Sequence, residues 1–514
     1  MLLASLLSVV LFVPLPQDPS PQEKVAIPTD QRGGRILKLS LGDCLVLGTS
    51  NNIDLNLSRL REKVSRHDYE ITDSRYDFEF FTTANWNQGE TPKRSAFQPN
   101  IKSWGYSANI GFRKQMLTGA TLSLGFNPIF FHQEVQSTFP FPTEGYRGGL
   151  NFAVTQPLLK SAWSDYYQAE LDVSKDQISI ERYIVDRDTQ VTLNQVVDSY
   201  MALVFARENW RVKYFTLKLA RDQLEQTNKK IQLGQLAERD RIADEADVSQ
   251  REEEIIVAET AILDQEDALK RLILPFKSTS DWEIIVQPTL KVGDKDPKFP
   301  VPNWKEAVLM AKSRRPDMRA QERVINQAKL NLMRADRDLL PQLDLTATVN
   351  TDAQRDTFGQ FQQDIFGALF PDYGLRLDFV LPIGNRQARN TYERGKLVLE
   401  QSRRSYRILE VDVERQVRQV IRNLLTLEKS TLAAKESVRL AVDNLETERI
   451  KLGLGSSTAF EVQRRNTELS DARSRLLQAR LDYRKSWFNL QAVLGQLGED
   501  SELPHTTEFL GGGR

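Results

Sequence analysis

Residues 231–276 and 452–497 carry the same pattern of landmarks at one fixed offset of 221. Gly234 meets Gly455 and Asp240 meets Glu461; Ile255, Ala258, Ile262, Leu269 and Leu272 meet Leu476, Ala479, Tyr483, Leu490 and Val493. The apolar positions step by threes and fours, as they do on one seam of a long helix. A long internal repeat decides architecture before any local signal does. Each copy is preceded by a longer helical stretch, and that by alternating segments ending in proline, at Pro157 and Pro382. The repeating unit therefore joins β-strands to a helical hairpin, and 514 residues make two such units rather than several unrelated domains.

Composition excludes several classes of function. A net charge of −1 offers no basic face to nucleic acid. One cysteine, Cys44, permits neither an internal disulfide nor a cysteine metal cage, and His67, His132 and His505 have no ligand-like spacing. No nucleophile–base order, metalloprotease helix or phosphate loop occurs. The reading is of a protein with no catalytic, cofactor or metal site; its abundant Asp and Glu belong to solvated helix faces.

An apolar run, Leu2–Val13, followed by the proline-rich stretch Pro14–Pro28, suits a secretory signal over about 1–21 and implies export. No basic residue precedes the run and no clean small-residue cleavage site follows it. No other segment has the apolar length of a transmembrane helix.

The helices are placed by periodicity. Short ones are expected at 39–49 and 303–313, then helices of about 23 residues from Asp54 and Asp317. Long helices follow at about 160–232 and 385–452, on apolar tracks through Leu193, Val196, Val197, Tyr200, Leu203 and Val204, and through Val438, Ala441, Val442, Leu445 and Leu452. Each folds back at glycine into a helix of about 40 residues, 236–275 or 457–497. A return helix stacked on a 23-residue helix nearly matches one long helix, giving four-stranded helical walls. The units are then 22–275 and 303–497, joined by a linker at 276–302 with one strand, Glu283–Val286, and followed by a tail, 498–514.

The strands, within 78–156 and 342–382, alternate strictly. Leu122, Leu124 and Phe126; Leu150, Phe152 and Val154; Leu343, Leu345, Ala347 and Val349; and Leu375, Leu377, Phe379 and Leu381 each alternate with mostly polar residues. That pattern suits a membrane β-barrel and equally a half-buried soluble sheet. Aromatic residues at strand ends favour the barrel: Trp86, Trp104, Tyr106, Phe130, Phe131, Phe139, Phe141 and Tyr146, then Phe358, Phe361, Phe366, Phe370 and Tyr373. The first unit has about 38 more residues in this region than the second, and reads as four strands against two. Two to six strands cannot close, and open edges are too costly in lipid, so membrane strands force oligomerisation.

Several short tags in fixed order carry a resemblance. They are Gln156-Pro157-Leu158-Leu159, Leu381-Pro382-Ile383, Arg315-Pro316-Asp317-Met318, Leu340-Pro341-Gln342-Leu343, Tyr200-Met201-Ala202-Leu203 and Leu490–Gly495. Across about 39–497 the chain resembles the TolC-like outer-membrane factors. The resemblance implies a mainly α fold with membrane β, in which duplicated helical hairpins form a periplasmic tunnel and three chains share one outer-membrane β-barrel. It implies a passive duct for efflux or type I secretion, docked to a periplasmic adaptor and an inner-membrane transporter. It also implies four strands per chain. On that count, segment 104–131 is expected to extend beyond the closed barrel or pack outside it.

The same resemblance assigns the hairpin tips. Gly234, Leu236, Gly453, Gly455 and Ser456 are expected to meet the adaptor, and Asp240 and Glu461 to line the tunnel entrance. Arg464 stands one turn beyond Glu461 where relatives carry a further acid, which weakens or reverses cation preference. A glycine at each reversal is equally what any helical hairpin needs. Cys44 is too deep in the chain to be an acylated first cysteine and reads as a small buried residue. Two rivals stay open. A periplasmic adaptor would have one hairpin and compact β domains, not a duplicated hairpin with lipid-patterned strands, and a soluble coiled-coil scaffold would wash off carbonate-treated membranes, where a barrel protein would stay.

Overall fold

The computed structural model describes residues 35–91, 101–135, 143–290, 292, 297–367 and 371–497. The expected signal segment, the C-terminal tail, His505, Phe139, Phe141 and Phe370 lie outside the described residues. Strand β1 (Ile36–Leu39) leads into α1 (Leu41–Asn51), whose start is fixed by a reciprocal cap between Ser40 and Asp43. Helix α2 (Ile53–Asp73) runs into the strands, and α3 (Trp163–Gln232) descends from them for 70 residues, roughly 105 Å at 1.5 Å per residue. Helix α4 (Glu238–Ile273) returns. The second half repeats the plan with α5 (Trp304–Arg314), α6 (Pro316–Arg337), and later the 68-residue α8 (Arg386–Gly453) and α9 (Ala459–Val493). Helices α2 and α4 both pack along α3, and α6 and α9 along α8. The stacked-helix wall inferred from the repeat is the wall observed. Between the halves, Asp176 of α3 takes Arg323 at 3.4 Å and Asn326 at 2.6 Å, and Arg334 reaches Glu170 at 3.1 Å.

Two apolar cores lie at mid-height. In the first, Cys44, Leu45, Val196, Val197, Tyr200, Leu203 and Leu269 are buried together; in the second, Ala307, Val308, Met318, Val417, Ile421, Leu424 and Leu490. They are copies. Val196, Tyr200 and Leu203 stand 221 residues before Val417, Ile421 and Leu424, and Cys44 and Leu45 stand 263 before Ala307 and Val308. Cys44, at 0 % exposure, thus fills a position that the second half gives to alanine. The apolar track expected on the second long helix, Val438–Leu452, is a smaller cluster around Leu445 and Val462, and Val442 is exposed. The main core of α8 lies a few turns nearer the strands. The linker strand falls two residues later than expected, as β7 (Ile285–Pro288), and pairs in parallel with β1, placing Leu290 N–H 3.3 Å from the Tyr200 hydroxyl.

The remaining strands form one antiparallel sheet. They are β2 (Phe78–Thr91), β3 (Ile101–Gln115), β4 (Thr121–Phe126), β5 (Ile129–Val135), β6 (Glu144–Pro157), β8 (Gln342–Arg355) and β9 (Pro371–Val380). Both β4 and β5 pair with β3 on one side and β6 on the other, so together they make one strand interrupted at Asn127-Pro128. Backbone bonds carry the ladder across that break, from Ala108 N–H to Pro128 O at 3.0 Å and from Asn127 N–H to Gly149 O at 3.0 Å. The sheet is six strands wide, with β2 and β9 as its edges.

This corrects the expectation for segment 104–131, which lies inside the sheet and not beyond or beside it. The physical reason is register. Phe112 stands opposite both Phe80 and Leu124, and Ile110 opposite Phe126, so the inserted hairpin continues the two-faced pattern of its neighbours. Pairing on both sides also satisfies the backbone groups that an external hairpin would leave on an edge.

The pattern resolves into two faces. Phe80, Phe112, Leu124, Phe152, Val349 and Leu377 share one; Thr83, Asn109, Ser123, Asn151, Asn350 and Asp378 share the other. The apolar face is bare from β2 to β9, with Phe80, Phe112, Leu124, Phe152, Val349 and Leu377 all exposed, and Leu375 reaches 76 % exposure. A soluble sheet would cover such a face. A barrel in lipid leaves it bare. Among the described residues no helix is long and apolar enough to cross a membrane.

Candidate functional site

The far ends of the helical hairpins, away from the sheet, hold every residue singled out from the sequence as a site. The two reversals are built alike. At the first, Gln235 N–H bonds Lys230 O at 2.9 Å and Gly234 N–H bonds Ile231 O at 2.9 Å; at the second, Ser456 N–H bonds Lys451 O at 2.9 Å and Gly455 N–H bonds Leu452 O at 3.1 Å. Gly234 and Gly455 take φ of +73° and +72°, a region that strains residues with a Cβ. A Cβ at either position would meet nothing within 4 Å, so conformation and not crowding demands glycine. Thr458 then caps α9, accepting from Glu461 N–H at 3.4 Å.

Apolar side chains project from both turns. Leu233 and Leu454, equivalent under the repeat, are 72 % and 78 % exposed. Leu236 and Phe460 are exposed beside them, as are Gly453 and Gly455. Sequence reasoning named Leu236 but missed Leu233, Leu454 and Phe460. Leu233 and Leu454 were findable, since each directly precedes a turn glycine and they match at the offset of 221.

Charge is arranged differently at the two tips. Arg464 binds Glu461 at 2.9 Å and lies 3.8 Å from Glu468, so the Glu461 carboxylate has a cation on its own helix. The Ser457 hydroxyl donates to Glu448, and with Lys451, Arg465 and Arg464 nearby it holds that carboxyl below the usual range. In the first hairpin the position of Glu448 is Thr227, which donates to Asp244 at 2.6 Å. Asp240 sits in the first turn of α4, six residues beyond Gly234. Arg251 of α4 reaches Thr467 of α9 at 2.6 Å, which ties the two hairpins side by side above their tips. Among the described residues no cluster of His, Cys, Asp and Glu could hold a metal ion.

A duplicated hairpin wall crowned by a two-faced sheet is the fold of several solved outer-membrane channels. The chain is similar in structure to the CmeC outer membrane channel of Campylobacter jejuni, at 15 % identity and a TM-score of 0.67, over 96 % of this chain and 98 % of that one. It is similar to the outer-membrane channel OprN at 14 % identity and 0.66, over 89 % and 90 %. The open state of the MtrE outer membrane channel of Neisseria gonorrhoeae matches at 17 % identity and 0.61, over 95 % and 99 %. At such identities the likeness establishes the fold. No curated protein matches the chain in sequence. Residues 308–496, nearly the whole second unit, match the family described as Outer membrane efflux protein.

Proposed function

We propose that this chain forms the passive exit duct of a tripartite efflux or type I secretion assembly. Three copies would close one barrel, and their hairpins would meet a periplasmic adaptor fed by an inner-membrane transporter. The six-stranded sheet with two free edges carries this reading. In lipid, unpaired strand edges are too costly to leave open, so β2 of one copy must find β9 of another. Three copies give an eighteen-stranded barrel. The detergent-extracted protein is expected to be a trimer, and imaging it should count eighteen strands. A monodisperse monomer that still conducts ions would overturn the trimer, and a twelve-stranded wall would overturn the strand count.

In this reading the exposed leucines and Phe460 at the tips are adaptor contacts, and Asp240 and Glu461 line the entrance. Arg464 then tempers the entrance charge. Arg464→Ala should free the Glu461 carboxylate and shift the reversal potential toward cations in low salt, where screening is weak. Glu461→Ala should shift it the other way. Identical reversal potentials in all three proteins would return Glu461 and Arg464 to an ordinary ion pair on a helix surface.

A further inference from the structure

The connection between β8 and β9 contains a nine-residue helix, α7 (Phe358–Phe366), which lies flat on the sheet. The face it covers is informative. Phe361 and Ile365, 0 % and 1 % exposed, pack on Phe126, Tyr146, Leu150 and Ala353. Phe126 stands opposite Leu150, and Ala353 opposite Gly148, so these side chains belong to the same apolar face as Leu124, Phe152 and Val349. Asp364 binds Arg355 on that face at 2.7 Å. Helix α7 therefore sits on the outside of the sheet, at the end away from the helical tunnel, and not over the polar side that faces the pore.

Its surroundings mark a water boundary. Trp104, Tyr106, Phe130 and Tyr146 make a chain of ring contacts at 5.2–6.5 Å, and Phe358 lies 5.3 Å from Tyr146. One register step further out the same face turns charged, where Lys102 is opposite Glu90 and Glu134, and His132 lies 3.3 Å from Glu144. Aromatic rings just inside a charged rim are the arrangement of a bilayer interface. Phe358 and Phe366 remain exposed on α7 at this level, and Gln360 and Gln363 are exposed beside them.

We propose that α7 is an interfacial anchor, lying on the outward face of the barrel at the boundary between acyl chains and headgroups of the outer leaflet. Its occupant is lipid, because its apolar residues continue the bare apolar face without a break. The aromatic pair Phe358 and Phe366 reaches into the acyl region, and the glutamines meet the headgroups. The inference rests on that apolar face being the lipid face.

The test uses the full chain in phosphatidylcholine vesicles with a fluorophore on a single introduced cysteine, the native Cys44 being buried. Phe366→Cys should lose most of its fluorescence to lipids brominated near the headgroup and resist aqueous iodide. Gln363→Cys, on the exposed side where packing is undisturbed, should respond to both quenchers. Val349→Cys, lower on the same face, reports the lipid face separately through deeply brominated chains. If Val349→Cys is quenched by lipid while both α7 labels answer only to iodide, α7 lies in water and the proposal fails. If both α7 labels ignore lipid and iodide alike, protein covers the helix and the proposal fails equally. Silence of Val349→Cys toward lipid overturns the face assignment itself.

Discussion

Leu375→Arg is expected to abolish stable insertion of the protein in the outer membrane. Leu375 stands mid-strand on β9, opposite Ala347, on the exposed apolar face. An arginine facing lipid near the bilayer midplane costs about 2–4 kcal/mol in a barrel, and closure repeats it in every copy. Ordinary barrel stability leaves little room for such a sum. Thr83→Arg, exposed on the opposite face of β2, should insert and conduct because that face meets water. Fractionated membranes and urea unfolding in vesicles measure both. Normal assembly of Leu375→Arg together with loss of Thr83→Arg would mean that the two faces are assigned the wrong way round.

A second large effect concerns alkali. Burial pushes the Cys44 thiol from 9.0 up to about 12, with Asp43 adding to it, and burial likewise raises the Tyr200 phenol from 10.0 to about 12. Both groups are neutral in the native core and ionise more readily once unfolded. Stability from these groups is therefore complete below pH about 9 and is lost as pH rises towards 12, because the unfolded chain then binds fewer protons. At about 1.4 kcal/mol per pH unit, the thiol alone contributes on the order of 4 kcal/mol. Melting curves at pH 8 and 11 should show a steep fall for the native chain and a shallower one for Cys44→Ala, which installs the residue the second core already uses. An equal fall in the two proteins would remove Cys44 from the account. Tyr200→Phe is not the cleaner probe, since the hydroxyl also donates to Leu39 O at 3.2 Å and accepts from Leu290 N–H, which its loss would orphan in the core.

The helical part of this molecule was readable because its signals repeat. One offset aligned the glycine turns and the return-helix seam, and the same offset carries Val196, Tyr200 and Leu203 onto Val417, Ile421 and Leu424. That last alignment marks the main core of α8, whereas in the track at Val438–Leu452 the apolar residues keep helical spacing but only Leu445 among them is fully buried. The sheet was harder. Alternation in Tyr106–Phe112 and Ala120–Phe126 says which residues share a face, but not whether a hairpin is inserted in a sheet or laid against it, since both satisfy the same period. The answer lies in backbone pairing, which leaves no mark on side-chain pattern. Helix α7 was hidden for a related reason: its phenylalanines read as strand-end aromatics, and nine residues are too few for periodicity to speak. At the tips, spacing located Glu461 and Arg464 but could not show that they bind one another.

The six-strand width of the sheet has a consequence for the bore. In a trimer, α2, α3, α6 and α8 of each copy would place twelve helices around the tunnel below the strands. At about 8–10 Å between axes, twelve helices make a perimeter of roughly 100–120 Å. Eighteen strands about 4.8 Å apart and tilted by about 40° make one of roughly 110 Å, whereas twelve strands would make only about 75 Å. The inserted hairpin brings the two circumferences into agreement. Such a duct has no shoulder where helix gives way to strand. On the proposed function, the narrowing that a cargo must pass would then be set by the hairpin tips and not by the junction of helix and strand.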